Sequence, residues 1–123
     1  MTYSIDSKLG KISLTDSLIA NLAGIATTEC YGVAGMASRN IHDGLTAAFG
    51  KENLTRGVNV KVHKESRSLI ITVNIVVGYG VNIAEVARNI REKVRYVLRH
   101  CTGIDVREVN VNVRGVKVTS IDE

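Results

Sequence analysis

Residues 69–77 read Leu-Ile-Ile-Thr-Val-Asn-Ile-Val-Val, and both alternating sets are largely apolar: Leu69, Ile71, Val73, Ile75 and Val77 in one, Ile70 and Val76 in the other. Side chains of a strand point to opposite faces in turn, so a run apolar in both phases belongs in the middle of a sheet. Just before it, Val58, Val60 and Val62 alternate with Asn59, Lys61 and His63, the pattern of a half-buried strand. A polar turn over residues 64–68 joins the two, which predicts an antiparallel hairpin. The other segments must supply what covers this pair.

Residues 10–14 (Gly-Lys-Ile-Ser-Leu) alternate as a short strand, and Thr15 or Asp16 can cap a following helix by accepting from its free N–H groups. That helix runs to about Thr28, with Leu18, Ile19, Leu22, Ile25 and Ala26 at helical spacing and small Ala20, Ala23 and Gly24 permitting close approach. Residues 31–36 break the pattern, and a weaker helix follows over about residues 41–49, ended by Gly50. Asn82 caps a helix whose apolar stripe is Ile83, Ala87, Ile90, Val94, Val97, Leu98 and Cys101, and Gly103 stops it. The last strand alternates through Val109, Val111 and Val113, then shifts phase to Val116 and Val118 across Gly115, which predicts a bulge or bend. The order β-α-(α)-β-β-α-β implies an α+β two-layer sandwich, a small mixed sheet with helices on one face, formed by residues 1–123 as one domain. The opposite face is expected to carry Lys61, His63, Thr72 and Asn74, and the last strand to offer an edge for self-association.

The net charge of +4 is not spread evenly. Of 16 Lys and Arg and 12 Asp and Glu, five bases (Arg88, Arg91, Lys93, Arg95, Arg99) and one acid (Glu92) fall within residues 88–99, so this window carries the whole excess. At about 100° per residue, Arg88, Arg91, Arg95 and Arg99 share roughly one quadrant of the helix, bordering its apolar stripe. Such a ridge creates a local field for an anionic partner, and its expected ligand is an acidic protein surface. Its bland counterpart is a solvated face whose long side chains cover neighbouring apolar groups.

Candidates for chemistry are few. No acid–His–nucleophile pattern surrounds His42, His63 or His100, adjacent His100 and Cys101 diverge around the helix, and no DxD, HExxH, Walker or EF-hand spacing occurs. The expectation is a protein that is not an enzyme and holds neither cofactor nor metal. Gly78-Tyr-Gly80 lies between a strand and a helix, but the third glycine of a dinucleotide turn would stand at position 83, which is Ile. Gly32-Val-Ala-Gly35 between helical segments is similar to the GXXG loop of KH-type domains, so a KH-like nucleic-acid-binding module is the alternative reading. Its two middle residues are uncharged, and one Phe and no Trp leave little for base stacking. Cys30 and Cys101 are expected to be buried, reduced thiols. Residues 1–10 contain no stretch like a signal peptide, and no charge-free window reaches the length of a membrane span, so a cytoplasmic protein without a transmembrane segment of its own is expected.

The residues 10–14 strand before a helix, Glu29-Cys-Tyr-Gly-Val-Ala-Gly-Met36, Val76-Val-Gly-Tyr-Gly80, Ile83-Ala-Glu-Val-Ala87, the Thr102-Gly103 stop and Val109-Asn-Val-Asn-Val113-Arg-Gly-Val116 follow one another in an order and spacing that cover nearly the whole chain. Together they resemble the alkaline shock protein family of Gram-positive bacteria, an envelope stress response family. The resemblance implies a small cytoplasmic scaffold or adaptor without catalytic residues. In some relatives it is tied to envelope stress and held at the membrane by an integral membrane partner, and other relatives look like companions of lipid metabolism enzymes. With the acidic ligand expected of the ridge and the self-association expected of the last strand's edge, the expected partners are an acidic protein, membrane-anchored as the resemblance implies, and further copies of the chain.

Overall fold

The computed structural model describes residues 2–37, 57–63 and 65–118. Their elements, in chain order, are β1 (Thr2–Ser7), β2 (Gly10–Thr15), α1 (Asp16–Thr28), β3 (Val33–Met36), β4 (Val58–His63), β5 (Ser68–Gly78), α2 (Ile83–Thr102) and β6 (Val106–Lys117). The helix expected at about residues 41–49 lies outside the described residues, as does His42. The expected α+β order is present, with two strands the sequence pattern did not reveal. β1 forms an antiparallel hairpin with β2, and β3 pairs antiparallel with β5.

β5 is the central strand. β6 runs parallel to it along one edge, while β4 pairs with Ser68–Val73 and β3 with Ile75–Val77 on the other, so two short strands share a single edge. The parallel β5–β6 pair requires a crossover, and α2 supplies it. Two slips in the β5–β6 ladder place extra residues in β6: Leu69 and Ile70 face Val106 and Glu108, and Ile75 and Val76 face Val113 and Gly115. The second is the bulge expected at Gly115; the first leaves Arg107 unmatched.

Both helices lie on one face. Leu69, Ile71, Val73, Ile75 and Val77 of β5 are fully buried against Val86, Ile90, Val94 and Leu98 of α2 and Ile19, Ala23 and Ala26 of α1. α2 begins where the Asn82 side chain accepts from the Glu85 N–H (3.1 Å) and ends at Gly103, whose left-handed backbone (φ 77°) donates to the Arg99 carbonyl. Thr15 caps α1 by accepting from the Leu18 N–H.

The inward face of α1 differs from its expected stripe. Leu18 and Ile25 are each 42% exposed, and the buried residues include Ala20, Ala23, Gly24 and Thr27. α1 packs against α2 as well as the sheet. A close helix–helix approach selects small side chains for the shared surface and turns larger ones outward.

The opposite sheet face carries Lys61, His63 and Thr72 as expected, but Asn74 is only 2% exposed. Its side-chain N–H donates to the Gly57 carbonyl (3.2 Å), and its Oδ1 accepts from Asn112 Nδ2 (3.2 Å) and Arg114 Nε (3.0 Å). Its backbone carbonyl accepts from the Ala37 N–H. Asn74 thus ties β6 to both the end of β3 and the start of β4.

Candidate functional site

α2 is buried along Val86, Ile90, Val94 and Leu98, and its period of about 3.6 places Arg88, Arg91 and Arg95 on a flank turned away from α1. Lys93 occupies the other flank, where its Nζ lies 3.5 Å from Glu29 beyond the end of α1. The arginine flank faces β6. Arg88, Arg91, Glu92 and Arg95 from α2, with Arg107, Glu108, Val109 and Asn110 from β6, line a groove of about 470 Å³.

The four arginines expected to act together are therefore divided. Three line the groove; Arg99 does not, and pairs with Asp105 (3.3 Å) where the chain leaves α2. Arg88 contacts Glu85 at 2.8 Å, a one-turn pair half exposed to water. Among the described residues Arg91, Arg95 and Arg107 form no ion pair, and Glu108 is engaged by the Asn110 side chain at 3.2 Å. The groove thus gathers four guanidinium groups against the two carboxylates of Glu92 and Glu108, an excess of positive charge.

Arg107 was absent from the expected ridge because it belongs to another element. A signal was nonetheless present. Extending the Val109, Val111, Val113 alternation backwards puts position 107 on the core side, where Arg does not belong, and Val106 one place out of phase. That parity break is the first β6 slip, which removes Arg107 from the core-facing register and makes it available to the groove.

The other candidates take structural places. Gly32-Val-Ala-Gly35 is not an open loop: Val33–Met36 is β3, and Gly32 (φ 91°) is the turn before it. The turn at Gly78-Tyr-Gly80 has its first two amides spent internally, since Gly78 donates to the Gly32 carbonyl (2.9 Å) and Tyr79 to the Lys117 carbonyl (3.0 Å). His63 contacts the Ser66 hydroxyl (2.9 Å), and His100 stacks on Tyr96 with ring centroids 5.7 Å apart. Cys101 is exposed, contrary to the expectation of burial: the buried row Val86, Ile90, Val94 and Leu98 continues at four-residue spacing to position 102, one residue past it. Cys30 is half-buried; burial pushes its thiol pKa up, against a smaller downward pull from Lys93. Among the described residues no helix is long and apolar enough to cross a membrane.

Residues 4–118 match the model of the alkaline shock protein 23 family, described as having a cell envelope-related function. The chain belongs to the alkaline shock protein family. This bears out the resemblance drawn from the short motifs, and this alkaline shock family chain is 43% identical over 121 residues to the uncharacterized protein YloU of Bacillus subtilis, covering 98% of this chain and 99% of that one. It is 42% identical over 121 residues to the uncharacterized protein Spy1614 of Streptococcus pyogenes, covering 96% and 97% of the two chains. A more distant relative, a stress response regulator gls24 homolog of Streptococcus pyogenes, is 28% identical over 111 residues, which span 88% of this chain and 59% of the relative. No solved structure matches.

Proposed function

We propose that this alkaline shock family protein is a non-enzymatic, cytoplasmic adaptor of the cell envelope that captures an acidic, membrane-anchored protein partner on the arginine flank of α2. The observation that carries the reading is the convergence of Arg88, Arg91 and Arg95 with Arg107 in one groove, three of them without an ion pair among the described residues. Charges collected in a recess between two elements focus the field on an approaching anion more than the same charges dispersed over a surface. The family's cell envelope-related description and the stress-regulator name of a relative support placing the partner at the envelope. Arg99, tied to Asp105, serves as the rim of this surface and contributes less than Arg91 and Arg95.

The test is capture from membrane and soluble fractions, wild type beside Arg91→Glu/Arg95→Glu, with and without nuclease. Capture that survives nuclease and is lost in the double variant is expected. Capture of nucleic-acid particles that nuclease abolishes would replace this reading with the nucleic-acid one, which the same basic groove also attracts. That alternative lacks a stacking platform, because no aromatic side chain lines the groove.

A further inference from the structure

We infer that the groove is a strand-addition site: an acidic segment of the partner binds in extended form along the free edge of β6, with alternate carboxylates under the α2 arginines. This rests on the adaptor reading above and specifies the shape of what is captured. Three observations lead to it.

The first is topological. β6 pairs with β5 along one edge, and among the described residues no strand pairs with its other edge. An unpaired strand edge exposes a row of N–H and C=O groups that another extended chain can complete.

The second is where the charge lies relative to that edge. α1 occupies the side of α2 over β3 and β4, so the flank bearing Arg88, Arg91 and Arg95 projects on the β6 side. The groove includes Arg107, Glu108, Val109 and Asn110 of β6 itself. A strand laid on this edge would run beside Val109 and Asn110 and beneath the guanidinium groups.

The third is length. Arg88 to Arg95 spans about 10 Å of helix at about 1.5 Å per residue. An extended chain covers the same distance in about three residues at roughly 3.3 Å each. Side chains at positions i, i+2 and i+4 of the incoming strand all face one way. Acids at those positions span about 13 Å, about 3 Å more than the ridge, a difference the long arginine side chains can take up in reaching them. A helical ligand with acids one turn apart could not also complete the backbone ladder.

Charge also selects among occupants. Pairing β6 with β6 of a second copy would bring the arginine flanks and both Arg107 side chains together, so like charges oppose the self-association expected at this edge. An acidic strand meets only Glu92 and Glu108 against the four arginines of the groove.

The probe is a fluorescein-labelled synthetic peptide with Glu at alternate positions and Thr or Val between them. It is compared with a peptide of equal composition whose acids are spaced for a helix face, and with two versions N-methylated on alternate amides in one phase or the other. Fluorescence anisotropy should show the alternating peptide binding at least tenfold more tightly than the helix-spaced one. N-methylation in one phase should abolish binding while the other phase leaves it within about twofold, since only one set of amides points at β6. Amide hydrogen exchange of the complex should slow within residues 107–113. Arg91→Glu and Arg107→Glu should each weaken binding at least tenfold, with unchanged circular dichroism.

Equal binding of the N-methylated and helix-spaced peptides, still lost in Arg91→Glu, would overturn strand addition and leave the adaptor reading standing. Failure of every peptide, with binding of single-stranded RNA, would overturn both. A concentration-dependent dimer that excludes the peptide and protects residues 107–113 would assign the edge to a second copy instead.

Discussion

Replacing Asn74 by Ala tests whether a polar side chain organises the sheet from inside. Its side chain makes three hydrogen bonds at 3.0 to 3.2 Å, but they are not equivalent when it is removed. Asn112 and Arg114 are exposed residues, so their freed donors turn to water at little cost. The Gly57 carbonyl is on a buried residue and loses its side-chain donor, a penalty of about 1–3 kcal/mol. The expected loss is about 2 kcal/mol. With an unfolding entropy of about 2.1 cal/mol/K per residue, 123 residues give about 0.26 kcal/mol/K and a fall in Tm of about 8 °C. Asn112→Ala removes a partner without stranding a buried group and should stay within about 0.5 kcal/mol of wild type. Calorimetry with urea melts at constant m reads both. If Asn74→Ala melts no lower than Asn112→Ala, the network is incidental and the junction of β3, β4 and β5 is held by backbone pairing alone.

Three further substitutions probe other parts of the fold. Gly32 has φ 91°, and a Cβ there would lie 2.6 Å from Val86 Cγ2, whereas Gly80 has the same φ and nothing within 4 Å; Gly32→Ala should cost about 2–4 kcal/mol and Gly80→Ala about 1 kcal/mol in urea melts. Ala23 is fully buried on the surface α1 presents inward, so Ala23→Leu should overpack it and cost about 1–3 kcal/mol by the same measurement. Iodoacetamide at about pH 8 should modify exposed Cys101 before Cys30, as mass spectrometry of timed samples would show. Because burial raises the Cys30 pKa in the fold, the unfolded chain releases this proton first as pH rises, so wild type should lose stability relative to Cys30→Ala above about pH 8.5 and match its trend below.

Much of the frame was legible because period and burial agree. β5 is apolar in both phases since it is central, β4 alternates since one face is open, and Gly115 broke a valine alternation where β6 does slip. β1 was hidden because Thr-Tyr-Ser-Ile-Asp-Ser has a single aliphatic residue, leaving little apolar signal to read. β3 has four residues, one of them Gly35, too few for a period to declare itself. In α1 the expected stripe was partly right: Ile19 and Ala26 are buried and Leu22 packs against the core. Leu18 and Ile25, however, turn outward and Ala20, Ala23 and Gly24 take the inward surface, where close packing against α2 rewards small side chains. The site was half legible. Helical spacing collects Arg88, Arg91 and Arg95, but Arg107 joins them only through the β5–α2–β6 crossover, a contact that no local pattern encodes.

Whether the ridge exists for the fold or for a ligand can be decided by the sign of one substitution. Arg91 and Arg95, and Arg95 and Arg99, are four residues apart on α2, so each pair repels; like charges at this spacing destabilise a helix by about 0.2–0.5 kcal/mol. Arg95→Glu converts both repulsions to attractions, and the new acid stands on the N-terminal side of Arg99, which is the favourable direction. Counting the loss of repulsion and the gain of attraction at two pairs, less the attraction lost and repulsion gained with Glu92 three residues before, gives about 0.5 kcal/mol of added stability, or about 2 °C in Tm. A ridge that served the fold would respond in the opposite direction, since its long side chain would be lost from apolar surface it covers. A Tm that rises while capture of the acidic partner falls would mean that the native sequence tolerates an unfavourable charge array for the sake of what it binds. A Tm that falls with Arg95→Glu would assign Arg95 to packing and leave the groove without its strongest claim to a ligand.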